Sequence, residues 1–371
     1  MDSKVSIVRC NGYEPALVQE AVRRAVDLIG GITKFISYGS KVLIKPNLLM
    51  AKEPEAGITT HPEVVRAVIR VLKEINCRIF LGDSPSAWEK WSDINEVYVK
   101  TGMKRISQEE NVELVNFEKR RLRDKFPLTA WLDECDYLIS IPKFKTHQLT
   151  ILTGAIKNLY GLVSGIYKIK LHQRYFNDLD FANILVDIYQ QVKPSLNIID
   201  GIVAMESDGP ATSGKLRKVG LILASSDAVA LDSILTMIMG LKPLDILTTR
   251  IASERGLGIA DINSIQICGE DLKNVLERPF KLPATSLKTR IPKLIIKIVS
   301  KFIHFYPKIN KNNCVLCRTC VQICPANAIR IKDKRIIIDY SKCLSCFCCQ
   351  ESCPYSAIKV KKAFLVRFLG L

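Results

Sequence analysis

The chain has 371 residues, 48% of them hydrophobic and 25% charged, which reads as a soluble globular protein of two or three domains with a large core. No apolar run reaches the 18 or more residues that a membrane span needs, and the N-terminus (MDSKVSIVRC) lacks an apolar leader, so a membrane-spanning protein and a secreted disulfide scaffold are set aside. The net charge of +17 is concentrated at one end: residues 281–371 hold 18 Lys and Arg against three acids (Asp333, Asp339, Glu351), and the first 280 residues carry only +2.

In chain order, strands are predicted at Val5–Val8, Val42–Ile44, Arg78–Leu81, Val112–Val115, Tyr137–Ile141, Leu196–Ile199, Val219–Leu223 and Ser264–Ile267. Helices are predicted at Glu14–Ile29, Pro62–Ile75, Ala182–Val192 and Ala228–Met239. This alternation predicts an α/β domain over residues 1–280 with a largely parallel sheet, in which ligands bind where loops leave the carboxyl ends of strands. Polar motifs fall at those places. Lys45-Pro46-Asn47 follows the second strand, and Thr59-Thr60-His61-Pro62 opens a helix. Gly82-Asp83-Ser84-Pro85 follows the third strand, and Pro142-Lys143-Phe144-Lys145-Thr146-His147 follows Ile141. Thr153-Gly154, Lys157-Asn158 and His172 come next, then Asp200-Gly201.

Histidine exchanges protons near neutral pH, so His61, His147 and His172, with Lys157, are the candidate catalytic groups. Lysines at loop ends suit a carboxylate or phosphate, so Lys45, Asn47, Asp83, Lys143, Lys145 and Asn158 are candidates for binding an anionic small-molecule substrate or cofactor. Asp83 and Asp200 either orient His or Lys or cap turns. No G-x-G-x-x-G or Walker lysine motif is present, so no dinucleotide or nucleoside triphosphate site is expected. Cys10, Cys77, Cys135 and Cys268 lack metal spacing and read as buried apolar residues.

The motifs KPN, TTHP, PK-x-KTH and TGAIKN resemble those of the uncharacterised domain-of-unknown-function family 362 over about residues 40–270. The resemblance implies the architecture and leaves the reaction open. His147, Thr153, Gly154 and Lys157 also form H-x5-[ST]-G-x2-K, with His172 a further 25 positions past His147. That stretch is similar to the cofactor-binding region of nickel-dependent lactate racemases, in which His61 would match an upstream catalytic histidine. The Gly-rich flank of that family is replaced here by Gly154-Ala155-Ile156, so the likeness implies a shared fold and not nickel.

Residues 281–310 are predicted as a basic amphipathic linker helix. From Pro292 to Lys308, Lys293, Lys297, Ser300, Lys301, His304 and Lys308 form a narrow polar stripe on an apolar helix. It either docks the C-terminal module or lies in a membrane interface. The tail at 363–371 is also basic and apolar.

The pattern C-x2-C-x2-C-x3-C-P then occurs twice, at Cys314, Cys317, Cys320, Cys324, Pro325 and at Cys343, Cys346, Cys349, Cys353, Pro354, with every member shifted by 29 positions. Three closely spaced thiols hold three corners of a [4Fe–4S] cube, and the fourth of each run ligates the other cube. One cluster is therefore assigned to Cys314, Cys317, Cys320 and Cys353, and the second to Cys343, Cys346, Cys349 and Cys324. Residues 311–362 resemble bacterial two-cluster ferredoxins, a small α+β module. Cys348 is a surplus thiol and reads as a packed apolar residue.

Three functions follow as expectations. The first is an oxidoreductase relaying single electrons to an anionic substrate or cofactor in the N-terminal domain. The second is a non-catalytic electron carrier or docking subunit, and the third is a metal-cofactor isomerase. The basic C-terminal part predicts an acidic redox partner or a peripheral membrane contact, with nucleic acid disfavoured for want of a reading motif. Reduced thiols predict a cytoplasmic location, at the membrane surface if the linker binds lipid.

Overall fold

The computed structural model describes residues 3–85, 94–276, 278–286 and 305–361. Twelve strands belong to the N-terminal part: β1 Ser3–Arg9, β2 Lys41–Pro46, β3 Arg78–Leu81, β4 Glu113–Leu114, β5 Arg120–Arg123, β6 Phe126–Thr129, β7 Tyr137–Ile141, β8 Lys143–His147, β9 Ile151–Thr153, β10 Leu196–Ser207, β11 Gly214–Ser225 and β12 Ile265–Gly269. Ten of them form one sheet in the order β12-β1-β11-β10-β7-β2-β3-β4, with β8 beside β10 and β9 beside β8. Most contacts are parallel; β11 runs antiparallel to both β1 and β10, and β9 antiparallel to β8. The remaining pair, β5 and β6, is a separate hairpin.

Both faces of the sheet are covered, as a largely parallel sheet requires. Side chains alternate along β2: Val42 and Ile44 join one core, packed under the helices Pro15–Leu28 and Pro62–Lys73, while Leu43 joins the other. That second core lies under Asp178–Val192 and Ala228–Ile238. The predicted helices at 14–29, 62–75 and 228–239 thus end within two residues of their observed bounds.

Two expectations change. The segment Lys143–His147, read as a polar loop end, is a strand buried at every position. Pro142 has no N–H to extend the β7 ladder, and the chain resumes as β8 alongside β10. Of the four isolated cysteines only Cys10 is buried; Cys77, Cys135 and Cys268 are half-buried.

The C-terminal module begins earlier than predicted. Tyr306–Ile309, placed by sequence at the end of the linker helix, is strand β13, antiparallel to β16 (Ile358–Lys361). Between them lies the hairpin of β14 (Ile329–Lys332) and β15 (Arg335–Ile338). Of the helix predicted from Pro292 to Lys308, residues 292–304, with His304, lie outside the described residues, as does the tail at 363–371. The duplication is visible in the backbone: Leu316 and Ser345, Arg318 and Phe347, Asn327 and Ser356 are three left-handed pairs, each 29 positions apart. The module is hydrogen-bonded to the N-terminal domain through Thr212 Oγ1 to the Cys353 carbonyl (2.9 Å), Ser356 Oγ to the Thr212 carbonyl (2.7 Å) and Gln350 Nε2 to the Asp208 carbonyl (2.9 Å).

Candidate functional site

The eight repeated cysteines divide into two groups in space. Cys314, Cys317, Cys320 and Cys353 line one cavity of about 340 Å³; Cys324, Cys343, Cys346 and Cys349 line another of about 320 Å³. The fourth thiol of each run has crossed to the other cavity, the division that the spacing predicts. Among the described residues no three His, Cys, Asp or Glu converge on a single-ion site. Thiols spread around a cavity fit a cube with iron at its corners better than one tetrahedral ion. The N–H groups of Ala328 and Ala357 donate to Cys324 Sγ (3.2 Å) and Cys353 Sγ (3.3 Å), the same bond in each repeat. The residues present therefore fit [4Fe–4S] binding.

The polar motifs of the N-terminal domain separate into two networks. In the first, Lys143 Nζ donates to Asp200 Oδ2 (2.8 Å) and to the Tyr13 hydroxyl (2.7 Å), and that hydroxyl donates to Asp200 Oδ1 (2.8 Å). The His61 ring stacks on Tyr13 at 3.7 Å, the His61 backbone N–H donates to Asp200 Oδ2, and the ring Nδ1 accepts the Glu63 N–H as the cap of the helix Pro62–Lys73. His61 and Lys143 are thereby committed to structure, and neither lines the cavity described next.

The second network lies beneath that cavity: Lys45, Asn47, Asp83 and Asn158 line it, and Lys145 does not. Lys45 Nζ lies 2.7 Å from Asp83 Oδ1 and donates to the Pro46 carbonyl (2.9 Å). Asp83 Oδ2 accepts the Leu48 N–H (2.8 Å). Asn47 accepts from Lys145 Nζ (2.7 Å) and donates to Asn158 Oδ1 (3.1 Å). Lys145 also donates to the Ile58 carbonyl (2.6 Å). Burial lowers the pKa of Lys45 against the pull of Asp83; burial, with the charges of Lys157 and Lys143, brings Lys145 down to about 7. Gly161 must lack a side chain, because a Cβ there would strike both Asp83 and Lys45.

The cavity itself, partly open to solvent, spans about 700 Å³. Lys45, Asn47, Asp83, Asn158, Lys157 and His172 line it from the N-terminal domain, and Ile323, Cys348, Glu351 and Ser352 close it from the C-terminal module. Among the described residues Lys157 Nζ has no hydrogen-bond or ion-pair partner and stands 5.7 Å and 5.6 Å from the ring centroids of Tyr160 and Phe181. Burial lowers its pKa while Glu351 opposes. Three further polar atoms, Thr153 Oγ1, His172 Nδ1 and Glu351 Oε1, are buried without a hydrogen-bond partner. Burying such groups unpaired is costly, and a pocket is where a ligand would satisfy them.

His147 stands behind this wall. Its Nδ1 accepts the N–H groups of Leu149 (3.0 Å) and Thr150 (3.3 Å), so the ring proton sits on Nε2, 3.0 Å from Glu351 Oε1 but off the axis of a hydrogen bond. Burial pushes His147 down to about 4 and His172 to about 3. Burial raises the Glu351 carboxyl, but His147 and Lys157 outweigh it and hold the group at about 2. A larger cleft of about 1340 Å³ beside Cys343 has none of these lysines and histidines.

Sequence reasoning missed Tyr160, Lys168, Cys348 and Glu351 as pocket residues. One signal could have found the last two: the repeats differ there, with Thr319 and Gln322 in the first helix where the second has Cys348 and Glu351. Cys348 is buried, as expected of a packed thiol, and also faces the cavity.

Fold and site together define an iron–sulfur protein of the electron-transfer kind, an α/β domain carrying a ferredoxin-like module. The chain belongs to the DUF362 family (Domain of unknown function), which matches residues 42–237, and a 4Fe-4S dicluster domain matches residues 313–357. A thylakoid-associated protein of Synechocystis sp. is 34% identical over 266 residues, covering 70% of this chain and 81% of its own. Among solved structures, the lactate racemase apoprotein of Thermoanaerobacterium thermosaccharolyticum aligns at 12% identity and TM-score 0.40, covering 65% of this chain and 58% of its own. A Thermotoga maritima protein aligns at 14% and 0.39, covering 63% and 61%. Among the described residues no helix is long and apolar enough to cross a membrane.

Proposed function

We propose that this protein is an oxidoreductase holding two [4Fe–4S] clusters, Cys314, Cys317, Cys320 and Cys353 binding one and Cys343, Cys346, Cys349 and Cys324 the other. When bound, the clusters supply one-electron transfer. The substrate or bound cofactor is a small anion in the 700 Å³ cavity. One observation carries this reading: the helix Cys348–Glu351, which supplies the ligand Cys349, is also a wall of the lysine–histidine cavity.

Within the cavity each side chain has a distinct part. Lys157, unpaired among the described residues, receives the ligand's acidic group, because an ammonium in a half-buried site attracts an anion more strongly than one in bulk water. Thr153 Oγ1 and His172 Nδ1 fix the ligand's orientation, and Glu351 Oε1 accepts a hydrogen bond from it. Lys45 is already neutralised by Asp83 and shapes the floor. The thylakoid-associated relative supports work at a membrane surface.

The test uses full-length protein purified and reduced anaerobically, titrated with a panel of small carboxylic and phosphorylated acids while cluster absorbance is followed. At least one acid should reoxidise the clusters. Lys157→Met should weaken that reaction at least about ten-fold, with iron content and the rate of reduction by dithionite unchanged. An equal reaction in Lys157→Met would contradict the reading.

A further inference from the structure

Of the eight cluster-assigned cysteines, Cys317 alone is exposed; the others are half-buried or buried. The surface around it has two further properties. Large apolar side chains stand out beside it, Val315 at 59% and Tyr355 at 47% exposure, and both line the same cavity as Cys317. Exposed cations flank them: Arg318 follows Cys317 and lines the same cavity, and Lys311 lies in the turn before Cys314. Among the described residues 305–361 the surface acids are Asp333 and Asp339.

We propose that this face is the docking surface for a small acidic one-electron carrier protein. An apolar centre with a charged rim is the anatomy of a transient protein interface, in which the rim steers encounter and the centre excludes water. The charge commits the partner to acidity. The position commits it to electron transfer, since the patch is centred on the one thiol through which a partner's redox group reaches a cluster ligand without crossing protein. An anionic lipid surface would use the same charges but gains nothing from being centred on Cys317. In the exchange the partner loses one electron and this protein gains it; no group or proton is transferred between them. This surface lies outside the substrate cavity, so its fate is independent of the ligand proposed there.

The experiment is a binding titration of full-length, cluster-loaded protein with an oxidised acidic flavodoxin at low and raised ionic strength, beside vesicles of phosphatidylglycerol. Binding should weaken with salt, and Lys311→Glu with Arg318→Glu should raise Kd at least about ten-fold while iron content stays that of the parent. Reduction by a small photoreduced deazaflavin should be equally fast in parent and variant. Flavodoxin binding that is unchanged by the charge reversal overturns the proposal, as does binding to vesicles with none to flavodoxin. Should the variant lose iron, the unmodified protein decides: binding to flavodoxin that does not respond to salt overturns the proposal.

Discussion

Asp200, Lys143, Tyr13 and His61 show how charged residues in this domain become framework. Each polar atom of the Lys143 head and the Asp200 carboxylate points at a partner drawn from a different part of the chain. The motif residues Lys45, Asn47, Asp83, Asn158, Lys157 and His172 do converge on one cavity, so much of the candidate site was legible in loop-end residue types. The exclusion of His61 and Lys143 was not, because it depends on Tyr13 and Asp200, which lie 187 positions apart. The histidines carry a consequence for acid stability. Burial holds His61 and His147 at about 4 and His172 at about 3, below the ordinary 6.5. Between those values the unfolded chain binds protons that the folded chain refuses, so the histidines' contribution to stability is full above about 6.5 and falls as pH drops toward 4. Urea unfolding at about pH 7 and about pH 5 should show this loss. His172→Phe, which keeps the stacking on Phe181 (4.4 Å), should reduce it by about 2 kcal/mol. An undiminished loss in that variant would show that His172 is not held neutral.

At the scale of elements, the alternating apolar periods located most of the strands and helices of the sheet. They failed at β8, since Lys-Phe-Lys-Thr-His has the composition of a loop. Its burial is set by acceptors on β10 and near Asn47 that no local window contains. The linker failed at its end for a similar reason: Tyr306–Ile309 fits a helical stripe, but the strand Ile358–Lys361 claims it. The TGAIKN motif gains a physical reason from its neighbours. The N–H groups of Ala155 (2.6 Å) and Ile156 (3.1 Å) donate to the buried carboxylate of Asp232, which packs so closely that a Cβ on Gly154 would collide with Oδ1. Gly154→Ala should therefore displace Asp232 and cost about 1–3 kcal/mol in denaturant unfolding. A cost near zero would mean that the segment bearing Lys157 is not pinned in this way.

On the scale of the whole molecule, the cavity is a joint product of two domains that read as independent in the sequence. The cysteine spacing predicted the module and the division of its cysteines between two cavities, yet it was silent on which side of the module faces the lysines. That information lies in the divergence of the second repeat helix, where Cys348 and Glu351 replace the polar pair of the first. The crossing of Cys324 and Cys353 between cavities ties the two repeats into one structure, and it underlies the proposed path from cluster to pocket. The most direct measurement is iron content with low-temperature electron paramagnetic resonance on anaerobically prepared protein and its Cys324→Ser, Cys353→Ser and Cys348→Ala variants. Two four-iron cubes are predicted for the parent and for Cys348→Ala, with a different cube lost or altered in each serine variant. Parent protein with one cube or none, or serine variants indistinguishable from the parent, would contradict it.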